Sequence, residues 1–370
     1  MIIGVPKEVK SQENRVGMTP SGVHDLVVRG HKVLVESGAG DGSRLFNADY
    51  TQAGATLVGV DDVWAGAELI VKVKEPIASE YHYLRPGQVV FTYLHLAADQ
   101  PQVDALLASK TTAVAYETVQ LDKGFLPLLA PMSEVAGRMS LLVGSHALLR
   151  HFGGDGTLIS GVLGVPPAKV VVLGAGVAGA NAAQMAHGLR ADVTVLDVSL
   201  ERLSQLDSEF NGQVKTLYST AYSVRQAVAD ADIVIGSVLV TGARAPQLVT
   251  HQMLEEAKPG SCWVDISVDQ GGCFEDSHPT THADPTYQVG NAIIYAVANM
   301  PGAVPVTSTY ALTNSTLRYV TQMADKGWRQ AMLDNPALAK GLSTHEGQLT
   351  CAPVAEFWGY PSVPVETALT

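Results

Sequence analysis

Residues 170–179 read Val-Val-Val-Leu-Gly-Ala-Gly-Val-Ala-Gly, an apolar run entering G-x-G-x-x-G and continuing with helical spacing. A strand that turns this tightly into a helix constrains the fold more than any other stretch of the chain. Gly174 permits the turn, Gly176 lets the backbone approach a pyrophosphate, and Gly179 lets helix and strand pack closely. The helix N-terminus then presents N–H groups and a partial positive charge to phosphates. A glycine pattern alone is weak evidence, but Val193-Thr194-Val195-Leu196-Asp197 follows and ends a second strand on an acid. Asp197 can accept hydrogen bonds from ribose hydroxyls and would repel a 2′-phosphate, which favours NAD over NADP. Arg202, close by, weakens that preference slightly.

The rest of the chain must supply what such a unit acts on. At 370 residues there is room for two or three domains. Charged residues make up only 16% and hydrophobic ones 46%, too apolar for a disordered chain. A net charge of −12 argues against non-specific binding to nucleic acid or an anionic membrane. Two long runs, 170–189 and 285–317, lack Asp, Glu, Lys and Arg, yet glycines, prolines and polar residues interrupt both, so neither reads as a membrane span. The start, Met1-Ile-Ile-Gly-Val-Pro-Lys7, lacks the basic-then-apolar order of a signal peptide. Cys262, Cys273 and Cys351 are odd in number and match no metal spacing. A cytoplasmic protein without disulfides or a metal site is the expectation.

Strand and helix patterns alternate along the chain. Ile2–Val5, Lys32–Glu36, Leu69–Val73, Val89–Leu94 and Thr112–Ala115 read as strands of a covered sheet. Thr19-Pro20 is a good N-cap and first-turn pair for a helix that Gly30 ends, and Gln100–Ser109 is a second helical stretch. Pro127–Pro131 interrupts the pattern before a long helix, Ser133–Leu149. Strands are then expected at Val170–Leu173, Val193–Asp197, Asp232–Val238, Cys262–Ser267 and Ile293–Val297, with helices at Ala178–Leu189 and Thr307–Lys326. The tail to Thr370 reads as irregular with a few helical turns. The fold class is α/β: two Rossmann-like domains with parallel sheets, the second carrying the dinucleotide fingerprint. The expected division is 1–128 plus 306–370 for a substrate or catalytic domain and 129–305 for an NAD-binding domain.

Ligands of such sheets bind beyond the carboxyl ends of the strands, so hydride transfer in a cleft between two domains is the natural chemistry. That rule selects Lys74 and His95 after two strands of the first domain and Asp269 after a strand of the second. Arg15, in the charged loop Glu13-Asn14-Arg15, completes the set. A loop Arg or Lys is more often a solvated surface charge, and strand-end His or Asp as often a cap. Position alone leaves those readings open.

Several blocks in register extend the reading. Met1-Ile-Ile-Gly-Val-Pro-Lys-Glu through Asn14-Arg15-Val16, Val71-Lys72-Val73-Lys74-Glu75-Pro76 and Phe91-Thr92-Tyr93-Leu94-His95-Leu96-Ala97 come first. Ala130-Pro131-Met132-Ser133-Glu134-Val135-Ala136-Gly137-Arg138 and the glycine fingerprint follow. Asp265-Ile266-Ser267-Val268-Asp269-Gln270-Gly271-Gly272, Ala298-Asn299-Met300-Pro301 and Gly341-Leu342-Ser343-Thr344-His345-Glu346-Gly347 complete them. With these blocks the chain resembles, almost end to end, the alanine dehydrogenase family, which shares ancestry with the NAD-binding part of proton-translocating transhydrogenase.

The resemblance implies an NAD-dependent amino-acid dehydrogenase that reversibly deaminates L-alanine to pyruvate and ammonia. It gives Arg15 and Lys74 the substrate, His95 and Asp269 the proton transfers. Cofactor contacts implied are Ser133, Gly174, Gly176, Val177, Gly179, Asp197, Arg202, Ser219, Val238, Leu239, Ile266, Asp269, Val297, Asn299 and Met300. It also implies a homo-oligomer, usually a hexamer, for which the long helix from Ser133 offers a surface. Position 278 is His where many relatives show Arg, which puts an adenosine-side contact in doubt. Met323 and Lys326 stand where some members carry a metal-binding acid and His, so no metal is expected. The alternative reading is a soluble transhydrogenase subunit. That family carries an Arg-Gln-Asp loop after its first domain, where this chain has Ser133-Glu134-Val135-Ala136-Gly137-Arg138. A non-enzymatic NAD-binding protein is a third reading, and the joint presence of Arg15, Lys74, His95 and Asp269 argues against it.

Overall fold

The structure is a computed structural model that describes residues 1–238 and 245–370. Two compact units result, one formed by residues 1–132 with 304–370 and the other by residues 133–303. In the first unit the chain lays down β1 (Ile2–Val5), β2 (Lys32–Glu36), β3 (Thr56–Val58), β4 (Leu69–Val71), β5 (Val89–Thr92) and β6 (Thr112–Ala115). They pair in parallel in the order β3-β2-β1-β4-β5-β6, so the chain reverses its direction of travel between β1 and β4. That reversal leaves a crevice at the carboxyl ends of β1 and β4. β4, β5 and β6 are buried at every position, which explains their near-continuous apolar lettering.

The second unit repeats the plan. Its strands are β7 (Lys169–Leu173), β8 (Asp192–Asp197), β9 (Lys215–Tyr218), β10 (Ile233–Gly236), β11 (Ser261–Asp265), β12 (Thr286–Val289) and β13 (Ala292–Tyr295). The order is β9-β8-β7-β10-β11-β13-β12, parallel except for the β12–β13 hairpin, and the switch point lies between β7 and β10. Val171, Leu173, Val234, Trp263, Phe274 and Ile294 form one face of the core. The chain then returns to the first unit, and β14 (Leu342–His345) and β15 (Gln348–Leu349) extend its sheet antiparallel beyond β6. Both sheets are thus largely parallel, as two Rossmann-like domains require.

Three local expectations change. The tail is not irregular at Leu342–Leu349. A two-residue turn at Glu346 and Gly347, both with positive φ, closes a hairpin there. Two-residue turns of this kind suit the right-handed twist of strands, but the flanking residues are too few to show alternation. The long helix spans Ala130–Ala147 rather than beginning at Ser133, because Pro131 sits in its first turn, where a missing N–H costs nothing. The strands expected to run to Val73 and Leu94 stop at Val71 and Thr92, leaving three-residue extensions that carry Lys74 and His95 out of the ladder. Those expected to run to Val238, Ser267 and Val297 likewise stop two residues early, at Gly236, Asp265 and Tyr295. The Thr19-Pro20 start holds: Thr19 Oγ1 accepts from Gly22 N, and the helix is Pro20–Val28.

The two charge-free runs are accounted for by this layout. Residues 170–189 form β7, the glycine turn and the helix Val177–Gly188, while residues 285–317 form β12, β13 and the start of the helix Pro305–Lys326. Among the described residues no helix is long and apolar enough to cross a membrane.

Candidate active site

In the second unit, the described cofactor residues expected beyond the long helix lie in the glycine turn, in the first turn of the helix Val177–Gly188 or of the helix Leu200–Glu209, or at or after a strand's carboxyl end. Gly174, buried, has φ +104°, a value side-chain-bearing residues rarely adopt. A Cβ at Gly179 would stand 1.8 Å from the Gly174 carbonyl oxygen, so only glycine fits against that turn. A Cβ at Gly176 would meet nothing within 4 Å, and no side chain caps the 12-residue helix that begins at Val177. Open space in front of uncapped helical N–H groups is what a pyrophosphate needs. The residues present fit a dinucleotide.

Asp197, the last residue of β8, already serves the turn. Its Oδ2 accepts from Ala175 N at 2.6 Å and its Oδ1 from Ser199 N at 2.7 Å. Each carboxylate oxygen keeps a further acceptor position for a ribose hydroxyl. Arg202 Nε donates to Ala175 O at 3.0 Å and its Nη1 meets Gln205, so its guanidinium is folded back on the glycine turn. Ser219 directly follows β9, and its N–H donates to Asp197 O. Val238 and Ile266 follow β10 and β11. Val297, Asn299 and Met300 follow β13, with Asn299 at φ +62°. Ser133 lies half-buried in the first turns of the long helix. Leu239 lies outside the described residues. His278 is exposed and stacks on Tyr287, ring centroids 3.8 Å apart.

Asp269 is exposed on the turn Val268–Gln270 after β11. The loop around it is organised by Asp265, a buried carboxylate that the sequence reading passed over. Asp265 Oδ1 accepts from Ser267 N, and Oδ2 from Cys273 N at 2.8 Å and Ser277 Oγ at 2.6 Å. Burial raises the Asp265 pKa, and these hydrogen bonds oppose the shift. Cys273, buried with its thiol pushed up to about 12, is inert at neutral pH.

In the first unit, Arg15, Lys74 and His95 fall into one buried ionic cluster around the β1/β4 switch point. Arg15 is 2% exposed and held by Glu13 in a bidentate pair, Nε to Oε1 at 2.7 Å and Nη2 to Oε2 at 2.6 Å. Its Nη1 faces Met132 Sδ at 3.1 Å, a weak acceptor. Burial works to lower the Arg15 pKa, but Glu13 and the other nearby groups outweigh it and raise it. Glu8 accepts from the N–H groups of Val73 and Lys74, while Thr92 Oγ1 and Tyr116 OH donate to the carbonyls of Lys74 and Lys72. Lys72, fully buried, pairs with Glu80 at 2.7 Å and Glu8 at 3.4 Å. The Lys74 segment is therefore fixed on both sides.

His95 has φ +49° and a half-buried ring, 5.8 Å between centroids from Tyr93. Its Nδ1 is 3.4 Å from Glu75 Oε2, and Glu75 also pairs with Lys10. Burial works against the Glu75 carboxylate, but His95, Lys74 and Lys10 outweigh it and hold its pKa well below the ordinary value. A depressed carboxylate contributes stability that is present above its unfolded pKa and lost as pH falls through the folded value. Glu75→Gln should therefore be less stable than the parent at neutral pH. The gap should narrow below about pH 4.5, which urea unfolding at a series of pH values would read. Glu13 and Glu75 share short segments with Arg15 and Lys74, so charge adjacency was their signal. Glu117, which reaches the His95 backbone from the turn after β6, had none.

Two doubly wound units define a class: an α/β enzyme that uses a nicotinamide dinucleotide. One bears a glycine cradle and the other a compensated ionic cluster at its switch point. Comparison places it further. Residues 4–136 match the family described as alanine dehydrogenase/PNT, N-terminal domain, and residues 140–352 match its C-terminal domain. The chain is 58% identical to alanine dehydrogenase of Mycobacterium tuberculosis over 362 residues, 98% of each chain. It is 53% identical to that of Bacillus subtilis over 371 residues, covering 100% of this chain and 98% of the relative. Among solved structures, an L-alanine dehydrogenase superposes with a TM-score of 0.93 at 49% identity, covering 97% of this chain and 99% of the other. A transhydrogenase from Sinorhizobium meliloti gives 0.81 at 26% identity, covering 94% and 100%. The chain belongs to the alanine dehydrogenase/PNT family.

Proposed function

We propose that this chain is an NAD-dependent alanine dehydrogenase, converting L-alanine, NAD and water reversibly into pyruvate, ammonium, NADH and a proton. The observation that carries the reading is the Arg15–Lys74–His95 cluster in a chain whose length is matched throughout by alanine dehydrogenases at 50–58% identity. The transhydrogenase reading is not favoured, since that relative stands at 26%. L-alanine-dependent reduction of NAD, with pyruvate and ammonia released one to one, is the expected result. Hydride exchange between NADH and an NADP analogue without any amino acid would instead support the transhydrogenase.

Residues 1–132 with 304–370 would hold the substrate, and residues 133–303 the cofactor. Glu13 occupies the Nε edge of Arg15, so the substrate carboxylate takes the Nη1 side in exchange for the Met132 thioether. A charge-assisted bond there contributes about 1.5–3 kcal/mol and fixes the orientation of Cα. The Lys74 ammonium polarises the carbonyl of pyruvate, or the developing carbinolamine oxygen in the opposite direction. Bound NAD supplies the acceptor for the hydride that leaves Cα. Hydride departure requires a neutral amine, so a protein base first takes a proton from the substrate ammonium. Water then adds to the iminium, and the carbinolamine loses ammonia as one proton leaves its hydroxyl and another reaches its nitrogen. His95 carries these protons, and Asp269 shares them. Gly174, Gly176, Val177 and Gly179 cradle the pyrophosphate. Asp197 selects the ribose diol, which favours NAD over NADP. The remaining contacts, Ser133, Arg202, Ser219, Val238, Leu239, Ile266, Val297, Asn299 and Met300, contribute backbone groups and walls.

The assembly proposed is a homo-oligomer, a hexamer by family resemblance, working in the cytoplasm. Leu142, Leu149, Phe152, Leu158, Val162 and Leu163 are exposed along one stretch of the second unit, with Leu163 fully so. Exposed apolar side chains gathered in one segment are what an interaction surface needs. Light scattering should give a mass near six times 39.0 kDa. A monomer would overturn this part of the reading.

A further inference from the structure

A histidine that moves protons must be held in place by its backbone as well as its ring. His95 sits at φ +49°, in the left-handed region that residues with a Cβ occupy in only a few per cent of cases. Such a conformation persists only where its surroundings impose it. Within the chain the turn is closed by a single backbone bond, Ala98 N to His95 O at 2.8 Å. A further constraint on the backbone comes from a distant residue. Glu117, in the single turn Tyr116–Thr118 that follows β6, presents its carboxylate to two successive N–H groups. His95 N donates to Oε1 at 2.7 Å, and Leu94 N donates to Oε1 at 3.1 Å and Oε2 at 3.2 Å. Two consecutive amides converging on one anion form a small nest, here filled by a side chain of the neighbouring strand's loop.

We propose that Glu117 is a positioning residue for the reaction: its carboxylate locks the Leu94–His95 backbone so that the His95 ring is presented to the substrate. Glu75 addresses the ring and Glu117 the peptide, so the two acids act on different degrees of freedom of one histidine. The proposal rests on the assignment of the proton transfers to His95. Without Glu117 the two amides turn to water or to each other's neighbours, φ of His95 relaxes toward the common regions, and the ring leaves its place. A displacement of about 1 Å at a proton-transfer site costs on the order of 10²-fold in rate.

The test is a cycle of four proteins: parent, Glu117→Ala, His95→Ala and the double variant, each as full chain. Glu117→Ala should lose about 10²-fold in kcat while KM for alanine and NADH affinity stay within about threefold. Because Glu117 acts through His95, removing it from His95→Ala should cost nothing further. Glu117→Gln keeps an acceptor oxygen for both amides and should recover most of the rate. Glu117→Asp, one methylene short, should lose about tenfold despite its charge. Full activity in Glu117→Asp or Glu117→Ala would overturn the proposal. So would a loss in the double variant that multiplies the two single losses, or a Gln variant as poor as the Ala variant. An active His95→Ala would instead defeat the assignment of His95 itself.

Discussion

His95→Ala should lose about 10³-fold in kcat, about 4 kcal/mol of transition-state stabilisation, while binding NADH as the parent does. The size follows from the chemistry: a positioned acid–base group contributes about 10²–10⁴-fold, and deamination needs several proton transfers. Retained cofactor affinity follows from the fold, because the glycine cradle belongs to residues 133–303 and His95 to the other unit. The backbone is the hazard, since alanine resists the left-handed conformation that His95 adopts. His95→Asn, which tolerates it, separates the two effects: a loss as deep as that of alanine assigns the effect to the imidazole. Parallel loss of NADH binding and turnover would make His95 structural.

Gly179→Ala should be nearly as damaging, by a different route. The added Cβ would lie 1.8 Å from the Gly174 carbonyl oxygen and 2.7 Å from Ser237 Oγ, and the first of these partners is backbone. The helix Val177–Gly188 must then lift from β7, at a cost of about 1–3 kcal/mol, and the N–H groups aimed at the pyrophosphate move with it. NADH affinity should fall about 100-fold or more, with a lowered Tm. Gly176→Ala is the informative contrast. Its Cβ meets no protein atom within 4 Å, so Tm should be nearly unchanged while NADH binding still weakens. If Gly176→Ala bound NADH normally, the open space before the helix would not be where the pyrophosphate lies.

The centre of each sheet was legible in the sequence because it is buried on both faces. β1, β4, β5, β6, β7, β10, β11 and β13 are near-continuous apolar runs, and their reading needed no partner information. The edges were not. β3 has three residues, β15 has two, and β9 carries exposed Lys215, Leu217 and Tyr218, so neither length nor period marks them. The strand ends were misplaced by two residues at β4, β5, β10, β11 and β13; at the first two, Lys72-Val73 and Tyr93-Leu94 are as buried as the ladder itself. That burial carries a charge, Lys72, which makes sense only beside Glu8 and Glu80, and Glu8 lies 64 residues earlier in the chain.

The candidate site follows the same division. Lys74 and His95 could be selected by their place after strands and Arg15 by its charged loop, and the strand order then explains why they share a place: β4 and β5 are neighbours, and β1 and β4 flank the switch point. The acids that hold them, Glu13, Glu75 and Glu117, are set by the packing of loops on neighbouring strands. Only the first two sit beside the residue they serve. The chain has just 24 basic residues against 36 acidic ones, and Arg15, Lys72 and Lys74 are all placed in one buried cluster with compensating carboxylates. In a protein so short of charge, that concentration is the strongest physical mark of the site.

The most direct test is oxidation of NADH by the purified full chain with pyruvate, glyoxylate and other 2-oxo acids, each with and without ammonium. Turnover should require ammonium, should be supported by pyruvate, and should yield L-alanine in step with the NADH consumed. Absence of ammonium-dependent turnover with every 2-oxo acid, or equal turnover without ammonium to give the 2-hydroxy acid, would contradict the assignment of amino-acid dehydrogenation to this site.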